Sequence, residues 1–256
     1  LVVTAPDAPA GRGLSVTSPP LKVAAERLGL PVIQPARLLP LPPEIASPAE
    51  LFIVAAYGKI LPASLLGVPR YGALNVHPSL LPRWRGATPI PQAILAGDAE
   101  TGVTLILMDE EIDHGPILNS SKIQITNSKI TAPELSVRLA ELGADLLLAT
   151  IPEWIGGRLA PQPQDDTAAT YAGRLKREDG HIDWRDPADA ISRRVRAFQP
   201  WPGAYAFWQS AGHRVRLAIE EAAIASAAGA RPAGTAFEAD GSLAVAAGQG
   251  VIIVRR

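Results

Sequence analysis

Short apolar runs and longer segments with a single apolar face follow one another through residues 1–155. The continuous apolar run Leu51–Ala56 and the mostly apolar run Val103–Met108 are typical of strands that are covered on both faces of a sheet. The segment opened by Pro20 ends before a glycine, as amphipathic helices often do. Strands and helices that alternate over short links predict an α/β domain with a mainly parallel sheet.

Thr131 and Glu134 have the spacing of a capping box, which predicts the start of a longer helix. Its apolar face contains Leu135 and the leucines that follow it at helical spacing. The predicted strands of this part are Leu1–Thr4, Pro31–Gln34, Leu51–Ala56, Tyr71–His77, Val103–Met108 and Ile117–Ile125. The predicted helices are Pro20–Leu28, Pro62–Leu66, Pro89–Ala96 and Ala132 to about Trp154.

The pattern changes at Gly156, where a polar segment with two prolines, residues 157–170, indicates a linker. A helix is predicted from Asp186 to about Phe198, with arginines along its polar side. Short alternating runs then predict a small β-barrel or β-sheet domain, and the alanine-rich residues 222–233 are interpreted as a turn. These C-terminal strands are Tyr205–Trp208, Val215–Ile219, Leu243–Ala246 and Val251–Val254. We therefore expect a catalytic domain at residues 1–158, a linker at 159–178 and a second domain at 179–256.

The composition, 47% apolar and 19% charged over 256 residues, is that of a soluble globular protein with a sizeable core. No apolar run reaches the ~18 to 20 residues of a membrane span, and no signal peptide is visible. The absence of cysteine excludes disulfides, thiolate nucleophiles and cysteine-based metal sites. We expect a cytoplasmic protein that binds no membrane.

The net charge of −1 is unevenly distributed along the chain. Residues 1–171 contain 12 basic and 16 acidic side chains, whereas residues 172–256 contain 12 and 9. A small asymmetry of this kind can arise by chance. It can also indicate that the C-terminal part, including Arg193, Arg194 and Arg196, faces a polyanion.

Three polar residues lie where predicted strands end, in an arrangement that suits chemistry at a carbonyl. Asn75 and His77 lie two positions apart at the end of one strand, so their side chains share a face. Asp113 lies in the acidic turn after another strand, and ligands of parallel α/β sheets bind at such strand ends. An isolated Asn-x-His at a strand end is often only hydrogen-bonded structure, so both interpretations stay open at this point.

The chemistry available to these three side chains is specific. The amide of Asn75 can donate to an oxygen that gains negative charge, and His77 can take a proton from an attacking amine. Asp113 can orient the imidazole and favour its charged form. There is no dinucleotide-binding glycine pattern, no phosphate-binding loop and no histidine pair with zinc spacing, so no metal is expected.

Longer motifs connect these residues to a known family. The run N-V-H-P-S-L-L-P-R-W-R-G-A-T-P-I, beginning at Asn75, is followed by G-D-A-E-T-G-V-T and by I-D-H-G-P-I-L. The segments P-D-A-P-A-G-R-G, G-H-I-D-W and V-R-A-F-Q-P-W-P-G-A occur before and after them. As a set covering nearly the whole chain, these motifs closely resemble the methionyl-tRNA formyltransferase family.

The resemblance implies a Rossmann-like formyltransferase domain joined by a linker to a C-terminal OB-like β-barrel. It implies formyl transfer from 10-formyltetrahydrofolate to the methionine amine of initiator Met-tRNA, by a protein that we expect to be monomeric. Asn75, His77 and Asp113 match the catalytic residues, and Arg12 and Arg85 are the expected tRNA contacts. The expected folate-binding residues are Ser79, Leu80, Leu81 and Pro82.

The sequence departs from the family pattern in three places. The family's first strand and glycine turn are expected before Leu1, and the C-terminal barrel is expected to be incomplete. Leu14, Ser15 and Val16 replace the lysines of the tRNA loop, so fewer phosphate contacts are expected there. Three alternatives stay open: a sugar-nucleotide N-formyltransferase, a 10-formyltetrahydrofolate hydrolase and a non-catalytic binding protein.

Overall fold

The computed structural model describes residues 1–10, 15–38, 40, 42–46, 49–127, 129–210, 212–225 and 231–256. The strands of the N-terminal part are β1 (Val2–Val3), β2 (Ala8–Ala10), β3 (Ser15–Thr17), β4 (Val32–Ile33), β5 (Phe52–Val54), β6 (Ala73–His77), β7 (Arg85–Gly86), β8 (Glu100–Leu107) and β9 (Ile117–Gln124). Its helices are α1 (Pro20–Arg27), α2 (Pro43–Ala46), α3 (Ala63–Leu66), α4 (Pro89–Ala96) and α5 (Ala132–Ile155).

The central sheet of this part has the strand order β5-β6-β8-β9. Strand β6 is parallel to β5, whereas β8 is antiparallel to both β6 and β9. The prediction of a mainly parallel sheet is therefore wrong for these four strands, although the α/β class is confirmed. The short link between β8 and β9 allows only an antiparallel pair, and an apolar run does not reveal strand direction.

Helix α5 covers one face of this sheet. The predicted capping box forms: the backbone N–H of Thr131 donates to the Glu134 carboxylate at 2.9 Å, and Thr131 Oγ1 accepts from the Glu134 N–H. The fully buried Leu135 and Leu139 pack with Val103 and Leu105 of β8. This packing fixes β6 and β8 against α5, so the polar end of β6 lies on a rigid support. None of the described helices is long and apolar enough to cross a membrane.

In the described residues of the C-terminal part, an α-helix precedes a hairpin and a separate sheet. Its elements are α6 (Ala188–Ala197), β11 (Ala204–Ser210), β12 (His213–Ile219), β13 (Ala222–Ala225), β14 (Ala236–Ala239), β15 (Ser242–Ala246) and β16 (Val251–Val254). β11 pairs with β12, and the second sheet has the antiparallel order β13-β16-β15-β14. No closed barrel forms among the described residues, and the interpretation of 222–233 as a turn is wrong for β13, whose small alanines pair along β16.

Helix α6 joins the two parts of the chain. Its inward residues Ile191 and Val195 are buried, as predicted, while Ala197 and Phe198 pack into the core of the N-terminal part. The basic side differs from the prediction. The arginine side chains are half-buried and donate to backbone carbonyls: Arg193 to Leu95 at 3.0 Å, Arg194 to Asp179 at 2.8 Å and Arg196 to Ile130 at 2.8 Å. These bonds hold neighbouring segments of the chain together.

The segment between the two parts has structure of its own. It contains a 3₁₀ helix, Asp166–Ala168, and the short strand β10 (Tyr171–Ala172). β10 pairs in parallel with β7, which lies only a few residues after His77 in the chain. We call residues 159–178 the interdomain segment; it runs along the candidate site instead of serving only as a tether.

Candidate active site

Strand β6 carries both polar residues that the sequence singles out. Asn75 and His77 lie two positions apart, so the pleat directs both side chains to the same face. Their exposed fractions are 9% and 4%, so both are almost completely buried. A buried amide and a buried imidazole need hydrogen-bond partners, and neighbouring loops supply them.

Asp113 comes to these side chains from the turn after β8. Its Oδ1 accepts from Asn75 Nδ2 at 2.9 Å, and its Oδ2 accepts from the Gly86 N–H at 2.8 Å. The same Oδ2 lies 3.5 Å from His77 Nδ1. The structure therefore brings together the three residues that were predicted from separate strand ends, and places the β7 backbone against them.

The backbone of the Asp113 turn is unusual. Asp113 itself has a φ of 51°, in the left-handed region that few residues other than glycine, asparagine and aspartate adopt. Gly115 lies so close to the carbonyl of Leu107 that a Cβ there would overlap it. The turn can close back onto β8 only with a glycine at this position, and closure puts the carboxylate of Asp113 beside β6.

The tautomer of His77 follows from its contacts. Its Nε2 lies 2.9 Å from the carbonyl oxygen of Trp84, which can only accept, so Nε2 carries the proton. In the neutral ring, Nδ1 then has the free electron pair, next to the Asp113 carboxylate. Nδ1 is the atom that can take a proton, and Asp113 stabilises the imidazolium that results.

Burial lowers the pKa of His77 below the usual 6.5, while the nearby Asp113 charge and the Trp84 carbonyl act in the opposite direction. The ring is therefore neutral, and able to act as a base, at neutral pH. By contrast, the hydrogen bond to Asp109 at 2.6 Å raises the pKa of His114. Of the two histidines near the site, only His77 has the environment of a base.

We expect kcat/KM to stay level from pH 7 to below pH 6.5 and to fall only at more acidic pH. The reason is that protonation of His77, with its lowered pKa, removes the base. A pH–rate profile at subsaturating substrate measures this limb. In Asp113→Asn the limb is expected at still lower pH, because the carboxylate no longer favours the imidazolium. An acid limb above pH 7 in the wild type would contradict this assignment.

The predicted folate-binding residues form a tight turn directly after β6. The hydroxyl of Ser79 is buried and donates to the Arg83 carbonyl at 2.6 Å. The buried Thr104 on β8 donates to the Ser79 carbonyl at 2.7 Å and accepts from the Leu81 N–H at 3.1 Å. The Ser79 and Leu81 side chains thus shape the turn from inside, while Leu80 and Pro82 are half-buried.

Burial contradicts the expectation that Arg85 contacts tRNA. Its side chain is 3% exposed, and its guanidinium donates to Gln164 Oε1 at 3.0 and 2.9 Å and to Asp166 Oδ1 at 2.8 Å. A guanidinium enclosed in this way does not reach a phosphate at the surface. The neighbouring residues in the sequence, a tryptophan and a glycine, do not predict that Arg85 is buried.

The other predicted tRNA contact, Arg12, lies outside the described residues. The segment around it was interpreted as a loop, but β2 and β3 pair as antiparallel strands on either side of residues 11–14. Pro9 faces Val16 in this pair. The prolines of this segment concealed the strands from a reading of the sequence.

The interdomain segment completes the site, and the sequence did not reveal this. The hydroxyl of Thr170 accepts from the Trp84 N–H at 2.9 Å, and its carbonyl accepts from the Arg85 N–H at 2.8 Å. Ala172 accepts from the Ala87 N–H at 2.8 Å. These bonds hold the stretch that supplies both the Trp84 carbonyl and the Gly86 N–H. A polar, proline-containing linker offers no periodicity from which such contacts can be predicted.

Replacing Gly86 by alanine is expected to destabilise the protein by ~1–3 kcal/mol and to lower activity. Gly86 has a φ of 112°, and an added Cβ would lie 2.7 Å from the backbone oxygen of Ala172. Relief of that contact moves the Gly86 N–H away from Asp113. Chemical denaturation and initial rates measure the two effects. Gly173→Ala is the matched control, since its Cβ meets no atom within 4 Å; equal losses in both variants would contradict the explanation.

Family models and curated relatives match nearly the whole chain. The formyl transferase family model matches residues 1–151, and the model of the formyl transferase C-terminal domain matches residues 174–256. A methionyl-tRNA formyltransferase of Chloroflexus aurantiacus is 47% identical over 244 residues, which cover 94% of this chain and 77% of that protein. The chain belongs to the methionyl-tRNA formyltransferase family. The resemblance in the sequence motifs is thereby confirmed, as is the one-carbon transferase class.

Another member of the methionyl-tRNA formyltransferase family, from Halorhodospira halophila, is 46% identical over 265 residues, covering 100% of this chain and 82% of that protein. Among solved structures, an N-formyltransferase of Helicobacter canadensis in complex with folinic acid and dTDP-3-aminofucose has a TM-score of 0.69 at 20% identity. The matched region is 92% of this chain and 82% of the Helicobacter canadensis chain. HypX of Aquifex aeolicus in complex with tetrahydrofolic acid has a TM-score of 0.62 at 20% identity. The matched region is 80% of this chain and 35% of the HypX chain. These two likenesses show the shared fold.

Proposed function

We propose that the protein transfers the formyl group of 10-formyltetrahydrofolate to the methionine amine of initiator Met-tRNA. The observation that carries the proposal is the joint geometry of Asn75, His77 and Asp113. One carboxylate accepts from Asn75 at 2.9 Å and lies 3.5 Å from the basic nitrogen of His77. The names and identities of the methionyl-tRNA formyltransferase relatives support the choice of Met-tRNA as acceptor.

In the proposed reaction, 10-formyltetrahydrofolate supplies the formyl group. The methionine amine forms a bond to the formyl carbon, and the bond from that carbon to the folate nitrogen breaks. His77 Nδ1 takes the proton that the amine loses and returns it to the departing nitrogen. The charge on the imidazolium between these events is balanced by Asp113.

Asn75 acts on the formyl oxygen. One N–H of its amide donates to Asp113, which fixes the side chain and leaves the second N–H to donate to an oxygen that gains negative charge. A donor held in place before the reaction stabilises the developing charge without reorganisation. The buried setting of Asn75, 9% exposed, strengthens this interaction relative to water.

The donor is proposed to lie along the turn of residues 79–82. Leu80 and Pro82, whose side chains are half-buried, supply contacts to its rings, and the turn that Ser79 and Leu81 stabilise keeps them in place. Arg12 remains a proposed tRNA contact on the basis of the sequence. We further propose a monomeric, cytoplasmic protein with domains at 1–158 and 179–256, the second related to an OB fold.

The test is formylation of purified initiator Met-tRNA with 10-formyltetrahydrofolate, followed by separation of formyl-Met-tRNA from Met-tRNA. N-acetyl-Met-tRNA is the matched control, because it lacks the free amine. We expect product only with the free amine. Parallel reactions contain a dTDP-amino sugar or no acceptor at all. Formylation of the sugar without formylation of Met-tRNA, or formate release alone, would overturn the proposed acceptor.

A further inference from the structure

The side-chain amide of Gln164, in the interdomain segment, is fully used within the protein. Its Nε2 donates to the backbone carbonyl of Asp113 at 2.9 Å and to that of Gly115 at 2.8 Å. Its Oε1 accepts twice from Arg85, at 3.0 and 2.9 Å. The orientation of the amide is therefore fixed, because the carbonyls require a donor and the guanidinium requires an acceptor.

Arg85 makes this arrangement rigid. With 3% of its side chain exposed, it contacts Gln164 on one side and donates to Asp166 Oδ1 at 2.8 Å on the other. The next residue, Gly86, donates its N–H to the carboxylate of Asp113. Asp113 is thus held from both ends, its carbonyl by Gln164 and its carboxylate by the strand that contains Arg85.

The Asp113 backbone needs such support. A φ of 51° in a residue other than glycine costs ~1–3 kcal/mol and persists only when neighbouring groups hold it. The interdomain segment also pairs its backbone with β9, where Gln162 and Ile117 exchange two bonds of 2.8 Å. Gln164 therefore acts from a backbone that is itself fixed to the strand following the Asp113 turn.

We infer that Gln164 is a positioning residue for the proposed reaction: it sets the Asp113 carboxylate against His77, so the interdomain segment is part of the catalytic apparatus. This inference rests on the proposed function for its kinetic consequences, but the underlying geometry does not. The charged and titratable groups around the arrangement are Asp113, His77, Arg85, Asp166 and His114.

Two substitutions distinguish the role of the Gln164 amide as a donor from its role as an acceptor. Gln164→Glu keeps an acceptor for Arg85 but can no longer donate to the Asp113 and Gly115 carbonyls. Gln164→Leu removes both. The matched control is Gln162→Leu: within the described part of the chain, the exposed side chain of Gln162 donates only to the Ala160 carbonyl, at 3.1 Å. Thermal unfolding of each variant measures how much of any loss is a loss of folded protein.

We expect Gln164→Glu to melt within a few degrees of the wild type and to lose ~10- to 100-fold in kcat, with the KM for 10-formyltetrahydrofolate changed less than about threefold. Displacement of the Asp113 carboxylate gives this pattern. The enzyme still binds 10-formyltetrahydrofolate, but the negative charge of Asp113 no longer lies where it stabilises protonated His77. Gln164→Leu is expected to lose at least as much. Gln162→Leu is expected to keep kcat within about twofold.

A second readout does not depend on activity. Histidine side-chain NMR over a pH titration, with the His77 signals assigned through His77→Asn, follows the ring directly. Because Asp113 raises the pKa of His77 against the effect of burial, a displaced Asp113 lowers this pKa further. We expect a lower midpoint in Gln164→Leu, which adds no charge beside His77, and an unchanged midpoint in Gln162→Leu.

The two readouts make failure of the inference distinguishable from failure of the proposed function. A wild type that does not formylate Met-tRNA, together with a lowered His77 midpoint in Gln164→Leu, would overturn the function and support the positioning role. A folded Gln164→Glu with wild-type kcat, or a folded Gln164→Leu with an unshifted midpoint, would overturn the inference. If Gln164→Leu unfolds, the kcat of Gln164→Glu decides, since this variant keeps the contact with Arg85.

Discussion

Replacing His77 by alanine is expected to lower kcat ~100- to 10,000-fold. His77 Nδ1 is the basic nitrogen in the described site, because Nε2 is occupied by the Trp84 carbonyl at 2.9 Å. Without it, the proton of the attacking amine has no acceptor, and Asp113 has no imidazolium to stabilise. Single-turnover rates with saturating 10-formyltetrahydrofolate and Met-tRNA measure the chemical step.

The control for His77→Ala is His213→Asn, at the exposed start of β12 and far along the chain from the site. Circular dichroism gives the folded fraction, since the loss of a buried ring also leaves a cavity. We expect the control to stay within about threefold of the wild-type kcat. A rate for folded His77→Ala within tenfold of the wild type would remove His77 from the proposed mechanism.

Asn75→Ala is expected to reduce kcat ~100- to 1000-fold. Two effects combine: the N–H that donates to the formyl oxygen is lost, and Asp113 Oδ1 loses the bond of 2.9 Å that orients it. The KM for either substrate should change little, because the donated bond strengthens mainly as the oxygen gains charge. Steady-state kinetics over both substrate concentrations separate kcat from KM.

Asn119→Ala is the matched control for Asn75→Ala. The Asn119 amide also comes from a strand of the same sheet, but it donates to Thr150 of α5 at 3.0 Å, away from the site. We expect it to cost about 1 kcal/mol of stability while the folded fraction turns over normally. If Asn75→Ala and Asn119→Ala lowered kcat equally, a general loss of sheet integrity would explain both results.

Much of the secondary structure could be predicted because its causes are local. The capping box at Thr131 and Glu134 marks a helix start through bonds within one turn. Helix α4 has the predicted bounds, with Gly97 in the left-handed conformation after its last turn. β13 was missed because alanine has little preference for strands, and its pairing with β16 is decided by contacts far along the chain.

The candidate site likewise contains residues that could be predicted from the sequence and contacts that could not. Asn75 and His77 could be named from a two-residue spacing at a strand end, and the methionyl-tRNA formyltransferase motifs identified Asp113 beside them. The burial and hydrogen-bond partners of the arginine side chains could not be predicted. A side chain with five donors serves equally well at a phosphate or at a carbonyl, and only packing shows that Arg85 is buried and that the half-buried Arg196 donates to a backbone carbonyl.

The sequence alone determined the family, the two-part organisation and the chemical character of the site, because each follows from residue types that lie close together in the chain. Only the tertiary structure decided the direction of β8, the tautomer of His77 and the contribution of Gln164. Each of these depends on groups distant in the chain: the Gln164 amide lies 51 positions from Asp113 and contacts its carbonyl at 2.9 Å. Such contacts form when packed elements bring loops together, and no local pattern of residues encodes them.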